Sequence, residues 1–326
     1  MKDTIRWGIV GPGSIAHRFA NAVKNVAGAQ VTAVASRSGD RAKEFATKHD
    51  IPNAFGSYEE MANSPLIDAV YIATPHPFHK PCAELFLKAK KHVLCEKPVC
   101  VNTKEAIAMA ECAKENNVFL MEAMWTRFLP AIGEAVKVAK SGEIGEIRSV
   151  RADFCFYSTP SPTSRLYAPE LAGGATLDVG VYCLNFVAAF LGSDPEGITA
   201  LSNVQNGADY QTDVLLKYQN GAIASISSAV NVSKPVMGYV YGSKGYIKVP
   251  HFFGAMEFMV HANGEERRVQ KPSIGDGFEE QIIEACTCIR EGKTQSDIMP
   301  MSESIKIMQQ MDTVRKQIQL VYPFEV

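Results

Sequence analysis

The chain has 326 residues, 46% hydrophobic and 21% charged, a balance that suits two globular domains and argues against a disordered or fibrous protein. A formal net charge of −2 leaves no basic footprint, so no nucleic-acid partner is expected. No apolar run is read as approaching the roughly 20 residues of a membrane span, and the polar opening MKDTIRW offers no secretory leader.

In chain order, Thr4–Val10 reads as a strand that runs into Gly11-Pro12-Gly13, followed by a helix over Ser14–Ala27. A strand over Gln30–Ser36 and a helix over Asp40–Lys48 come next. Ser57-x-x-Glu60 and Asn102-x-x-Glu105 resemble capping boxes at helix starts. Ile67–Ala73, Lys91–Cys95 and Val118–Glu122 read as short buried strands between helices over Phe78–Lys90 and Lys104–Asn116. This strand–helix alternation predicts a doubly wound parallel sheet, a Rossmann domain over residues 1–123.

Beyond it, Pro130–Ser141 reads as a helix, Glu146–Phe156 as a strand, Ser158–Gly174 as a surface loop and Leu177–Leu191 as a helix. Gly197–Val204, Thr212–Tyr218, Ala222–Ala229 and Val236–Gly242 alternate as antiparallel strands, with hairpin turns at Asn220-Gly221 and Asn263-Gly264. Phe278–Glu291 and Ser302–Leu320 are predicted closing helices. The expected second domain, residues 124–326, is α+β with a large, mostly antiparallel open sheet. The cysteines (Cys82, Cys95, Cys100, Cys112, Cys155, Cys183, Cys286 and Cys288) show neither C-x-x-C pairing nor zinc spacing. They read as buried, reduced thiols of a cytoplasmic protein, with no metal site.

Gly11-Pro12-Gly13-Ser14-Ile15-Ala16 fits G-x-G-x-x-A between a strand and a helix, the context of a dinucleotide site. Gly11 allows the tight turn, Gly13 lets backbone approach a pyrophosphate, Ala16 permits close helix packing, and the N–H groups at Ser14 and Ile15 hold the anion. The alternative is a plain strand–helix turn. The second strand ends at Ser36-Arg37-Ser38, without the carboxylate that would bind a ribose 2′-hydroxyl. Arg37 can pair with a 2′-phosphate and Arg41 is a second candidate, so NADP is expected over NAD. The alternative is that Arg37 is a solvated loop charge.

Ala73-Thr74-Pro75-His76-Pro77-Phe78-His79, Cys95-Glu96-Lys97-Pro98, the run from Gly173-Gly174 through Asp178-Val179-Gly180 to Tyr182, and Gly242-Ser243-Lys244-Gly245 carry a family resemblance. Over nearly the whole chain, the sequence resembles the Gfo/Idh/MocA oxidoreductases. Ser36-Arg37, His76-x-x-His79, the run from Met121 to Phe128 and Tyr182 make it most similar to the group of dimeric dihydrodiol dehydrogenase and NADP-dependent D-xylose dehydrogenase. Many members carry His where this chain has Tyr182, a departure that weakens an inositol dehydrogenase reading. The resemblance implies a Rossmann domain, an α/β domain whose sheet forms homodimer contacts, final helices packing back toward the first domain, and a Lys97–Pro98 peptide that is often cis. It also implies that Thr74, His76, His79, Glu96 and Lys97 serve the cofactor. H-x-x-H lacks a third metal ligand, so no metal is assigned to it.

Hydride exchange at an alcohol needs a group that takes or gives the hydroxyl proton. Lys97 stands at the carboxyl edge of the first sheet, where open α/β sheets bind ligands. Asp178 and Tyr182 are four apart on a predicted helix and share a face. Tyr182 is the expected acid/base, Lys97 the cation that assists it, and Asp178 the group that orients substrate or Lys97. Their bland alternatives are a core tyrosine, a solvated lysine and a helix-start charge. Trp125 and Phe154 are expected to line the substrate pocket or to be ordinary core, and Arg165 with Tyr167 to close over the site. The expected activity is NADP(H)-dependent oxidoreduction of a sugar, polyol or cyclic diol. Two alternatives are a glucose–fructose-type oxidoreductase that retains its cofactor and a nucleotide-sensing regulator.

Overall fold

Short β-branched and apolar runs bounded by glycine, asparagine and serine set the strand rhythm of the computed structural model. It describes residues 4–161 and 163–325; Pro162 of the expected loop and the outermost positions of the two expected domain spans lie outside the described residues. The chain forms two compact units. The first runs to Met124 and includes Ile274–Ile305; the second is Trp125–Ser273 with the segment from Lys306.

The first unit alternates β1 (Ile5–Val10), α1 (Ser14–Val23), β2 (Ala29–Ala35), α2 (Gly39–His49), β3 (Asn53–Phe55), α3 (Tyr58–Ala62), β4 (Ala69–Ile72), α4 (His79–Lys88), β5 (His92–Glu96), α5 (Thr103–Asn116) and β6 (Leu120–Ala123). The six strands are parallel in the order β3-β2-β1-β4-β5-β6, so the strand order reverses between β1 and β4. Ligands of open α/β sheets bind beyond the carboxyl ends at such a reversal. Both capping boxes do local work. Ser57 accepts from the Glu60 N–H (3.1 Å) to start α3, and Asn102 accepts from the Glu105 N–H (3.0 Å) to start α5. β3 has only three residues, too few for alternation to reveal it.

The second unit begins with a 3-10 turn at Trp125–Phe128, α6 (Pro130–Lys140) and β7 (Ile147–Cys155), and continues through a π turn at Thr176–Gly180 into α7 (Val181–Leu191). Strands β8 (Gly197–Gln205), β9 (Ala208–Lys217), β10 (Ile223–Ala229), β11 (Met237–Gly242), β12 (Gly245–Pro250), β13 (Glu257–Ala262) and β14 (Glu265–Gln270) complete a sheet with β7. Its order is β14-β13-β12-β11-β7-β10-β9-β8, and every pairing is antiparallel except β7 with β10. At the β13–β14 turn Asn263 and Gly264 both have positive φ, the geometry a two-residue hairpin demands. Asn206-Gly207, between β8 and β9, shares it.

Residues after 273 return to the first unit as α8 (Glu279–Arg290), before α9 (Met301–Gln317). Arg18 of α1 pairs with Asp276 (2.8 Å) and lies over the Phe278 ring, while Arg290 donates to the Gly28 carbonyl (2.7 Å).

Three expectations need correction. The helix read over Leu177–Leu191 opens as a π turn; it starts where the Asp209 carboxylate of β9 accepts from both the N–H (2.8 Å) and the hydroxyl (2.6 Å) of Thr176. Helical segments over Pro169–Leu191 are together long and apolar enough to cross a bilayer, contrary to the reading of apolar runs. The most apolar 18-residue window of that stretch is 89% buried inside the protein, so it belongs to the core of the second unit. Tyr167 packs with Ala175, Val179, Tyr210 and Val230 in a buried cluster, its hydroxyl against the carbonyls of Ser158 and Val230; it is no lid residue.

Candidate functional site: a glycine turn and a buried tyrosine

In the first unit, β1 ends at Val10 and Gly11 turns the chain with φ of +86°. A Cβ there would lie 3.0 Å from Thr74 Cγ2 and 3.3 Å from the Ala73 carbonyl, so glycine is required twice over. At Gly13 a Cβ would meet nothing closer than 3.9 Å, which leaves open space beside the start of α1. No side chain caps α1 and its first turn holds no acid. Ser14 and Ile15 thus present N–H groups at a helix start whose dipole favours an anion, while Ala16 is buried against the sheet. This cradle fits a pyrophosphate.

At the end of β2, Ser36 is buried and its hydroxyl accepts from the Ser38 N–H (3.2 Å). Ser38 in turn caps α2 at the Arg41 N–H. The Arg37 guanidinium stands exposed, 5.1 Å over the Phe78 ring in a cation–π contact. Arg41 is exposed one turn into α2.

The turns after β4 and β5 are tied together. His79 is buried, with Nδ1 at 2.9 Å from the Pro98 carbonyl and Nε2 at 2.8 Å from the Thr74 carbonyl. Holding both bonds calls for the charged ring, whereas burial pushes its pKa down; a neutral ring donates to one of them. His76 lies edge-on to it at 5.7 Å between ring centres. The Thr74 hydroxyl is buried without a hydrogen-bond partner among the described residues.

The Lys97–Pro98 peptide is cis. Glu96, in front of it, is buried and spends its carboxylate inside the fold, accepting from the Tyr71 hydroxyl and from the Lys97 N–H (3.2 Å). Phe19 of α1 stacks on Tyr71 (3.9 Å between centres) and fixes that hydroxyl's direction. Burial raises the Glu96 carboxyl, against the pull of Tyr71 and Lys97. Lys97 itself is half-buried.

In the second unit, Tyr182 of α7 is 8% exposed, and its hydroxyl oxygen accepts from the Trp125 indole N–H at 3.0 Å. Trp125 is buried too, so the expected pocket aromatic is equally a hydrogen-bond donor to the tyrosine. Phe154 tilts on Tyr182 (5.4 Å) and stacks on Phe253 (4.7 Å), which meets Trp125 edge-on (5.9 Å). Phe253 was not expected. Its sequence signal is Gly254, where a Cβ would come within 2.9 Å of the Trp125 ring. Asp178, in the π turn, is buried and paired with the exposed Arg165 (2.9 Å). Asn185 is fully buried; its amide nitrogen donates to the Val181 carbonyl and its amide oxygen has no partner among the described residues. All eight cysteines are buried and free of disulfides. Among the described residues no three metal-ligating side chains converge.

Comparison with known proteins matches residues 5–124 to the oxidoreductase family model with an NAD-binding Rossmann fold, and residues 132–248 to the GFO/IDH/MocA C-terminal domain. Trans-1,2-dihydrobenzene-1,2-diol dehydrogenase of Mus musculus is 38% identical over 332 residues, and that of Homo sapiens 37% over 331, each alignment covering 98% of both chains. Among solved structures, a 3-ketoreductase from Actinomadura kijaniata, in complex with NADP and TDP-benzene, superposes with a TM-score of 0.88 at 26% identity, over 96% of this chain and 98% of that one. With two-domain coverage by the family models and relatives matched end to end, the chain belongs to the Gfo/Idh/MocA family of NAD(P)-dependent oxidoreductases.

Proposed function

We propose that this protein uses NADP(H) to move hydride between nicotinamide C4 and a carbon of a sugar, polyol or cyclic diol, with Tyr182 as acid/base and Lys97 assisting. The observation that carries the reading is the Tyr182 hydroxyl, buried and accepting from Trp125. An N–H aimed at a phenol oxygen stabilises the phenolate, the form that takes a proton from an alcohol. Lys97 is the cation assigned to assist Tyr182, and the Asp178–Arg165 pair would orient the substrate's hydroxyls. Phe154 and Phe253 offer flat apolar faces to a ring. Gly11, Gly13, Ser14 and Ile15 would cradle the pyrophosphate, and Arg37, with Arg41 behind it, the 2′-phosphate; the nicotinamide, when bound, supplies the carbon that gives or takes hydride. Thr74 and His76 belong to the nicotinamide ribose side of this assignment. His79 and Glu96, whose polar atoms are engaged by the fold, would act there by holding the turns.

The relatives named for trans-1,2-dihydrobenzene-1,2-diol support a cyclic diol as the first substrate to try; a homodimer through the second unit's sheet is part of the same proposal. NADPH and NADH are titrated by fluorescence, then turnover of that diol and of D-xylose is followed at the nicotinamide absorbance. NADPH is expected to bind in preference. Tyr182→Phe and Lys97→Ala are each expected to lower kcat by about 10²–10⁴-fold with NADPH affinity kept, the range that positioned acid/base groups supply. Full activity in either variant, or NADPH binding with no turnover of any sugar or diol, overturns the reading.

A further inference from the structure

We infer that Glu122, backed by Ser304, is a positioning residue that sets the Lys97 turn through the N–H of Val99. The inference rests on the reading of Lys97 as catalytic. Glu122 lies on β6 opposite Cys95 of β5 and is 1% exposed. Its Oε1 accepts from the Val99 N–H at 3.1 Å, and its Oε2 accepts from the Ser304 hydroxyl at 2.6 Å. Ser304 is on α9, 182 residues away in sequence and equally buried.

The geometry explains why an acceptor is needed there. Pro98 has no N–H, and the β5 strand has already ended at Glu96. The first donor after the turn is the Val99 N–H, in a fully buried residue. Left unpaired, such a group costs about as much as a lost hydrogen bond. The turn is held at three successive places: the Lys97 N–H by Glu96, the Pro98 carbonyl by His79, and the Val99 N–H by Glu122. Glu96 belongs to the strand that enters the turn, and His79 opens the helix after β4. Glu122 fixes the exit of the turn to a neighbouring strand, and Ser304 fixes Glu122 to a helix. Loosening that exit lets the Lys97 backbone drift while the glycine cradle, built on β1 and α1, stays as it is. The effect therefore falls on turnover and spares nucleotide binding.

The test compares Glu122→Ala, Glu122→Gln and Ser304→Ala in the full-length protein. One readout is amide hydrogen exchange of the 96–101 segment; the other is kcat with NADP and trans-1,2-dihydrobenzene-1,2-diol, counted per NADPH-binding site. Glu122→Ala is expected to speed exchange in that segment by about tenfold or more. It should lower kcat by roughly 10- to 100-fold, the scale of a misplaced catalytic group, with the NADPH Kd within about threefold. Glu122→Gln keeps an acceptor for Val99 and a donor for Ser304, so both readouts should stay near wild type. Ser304→Ala, which removes one hydroxyl and leaves the fold least disturbed, should give the same pattern at a few-fold. Unchanged exchange in both Glu122→Ala and Ser304→Ala overturns the inference, as does a Glu122→Gln variant as impaired as Glu122→Ala. If Lys97→Ala is inactive while Glu122→Ala turns over at the wild-type rate, the inference fails alone. If Lys97→Ala is fully active, the catalytic reading of Lys97 fails first.

Discussion

The two units place chemistry by opposite means. In the first, the groups proposed to address a cofactor are mostly backbone: N–H groups at the start of α1 and a glycine turn at +86°. In the second, they are side chains brought together across elements, with Trp125 from a 3-10 turn, Phe154 from β7, Tyr182 from α7 and Phe253 from the turn after β12. Both use a buried carboxylate to pin a turn, Glu122 on Val99 and Asp209 on Thr176. Burial raises both carboxyls, that of Glu122 to about 7. The lesson is that the glycine turn is carried by local conformation, whereas a turn pinned by a buried carboxylate depends on residues far away in the chain. A side-chain site depends on packing between elements far apart in sequence.

The sharpest way to break this comparison is at Arg37, the side chain proposed to recognise the 2′-phosphate in the backbone-built unit. Arg37→Ala should weaken NADPH by about tenfold or more, since a hydrogen bond to a charged group contributes roughly 1.5–3 kcal/mol. The NADH affinity should not move. Equal loss of both nucleotides in a fluorescence titration would make Arg37 a general surface charge.

Trp125→Phe probes the side-chain unit. It keeps an aromatic ring and deletes the donor to Tyr182, so kcat/KM should fall by about five- to tenfold, near 1 kcal/mol. NADPH affinity should be untouched. An unaltered kcat/KM would reduce Trp125 to packing.

The last effect is on stability, through pH. The Glu122 carboxyl rises from 4.5 when unfolded to about 7 in the fold, chiefly through burial. A raised pKa contributes stability that is fully present below 4.5 and is lost as pH rises through about 7. Glutamine does not titrate. The melting temperature of Glu122→Gln relative to wild type should therefore climb by several degrees between pH 5 and pH 8, the scale that roughly 3 kcal/mol produces in a protein of this size. A pH-independent difference would show that the carboxylate is fully compensated by Val99 and Ser304.

Much of the architecture was legible in the residues. Strand–helix alternation to Ala123, the Gly11–Gly13 turn, both helix caps and the Asn-Gly hairpin at 263–264 follow from local preferences, and local preferences are written in adjacent residues. Of the candidate site, the residue types at 37, 97, 178 and 182 could be singled out. Their partners could not. The Asp209 carboxylate that starts the π turn is 33 residues from Thr176, Trp125 is 57 from Tyr182, and Ser304 is 182 from Glu122. Nothing in periodicity encodes which distant acceptor a buried N–H finds. The apolar length of Pro169–Leu191 likewise left its surroundings open until packing buried it. What the sequence determined by itself is the backbone-built half, because turns, caps and strand rhythm are settled among near neighbours. What only the tertiary structure decided is which buried polar groups meet. Each must find a partner inside the fold, and that partner is set by how the elements pack.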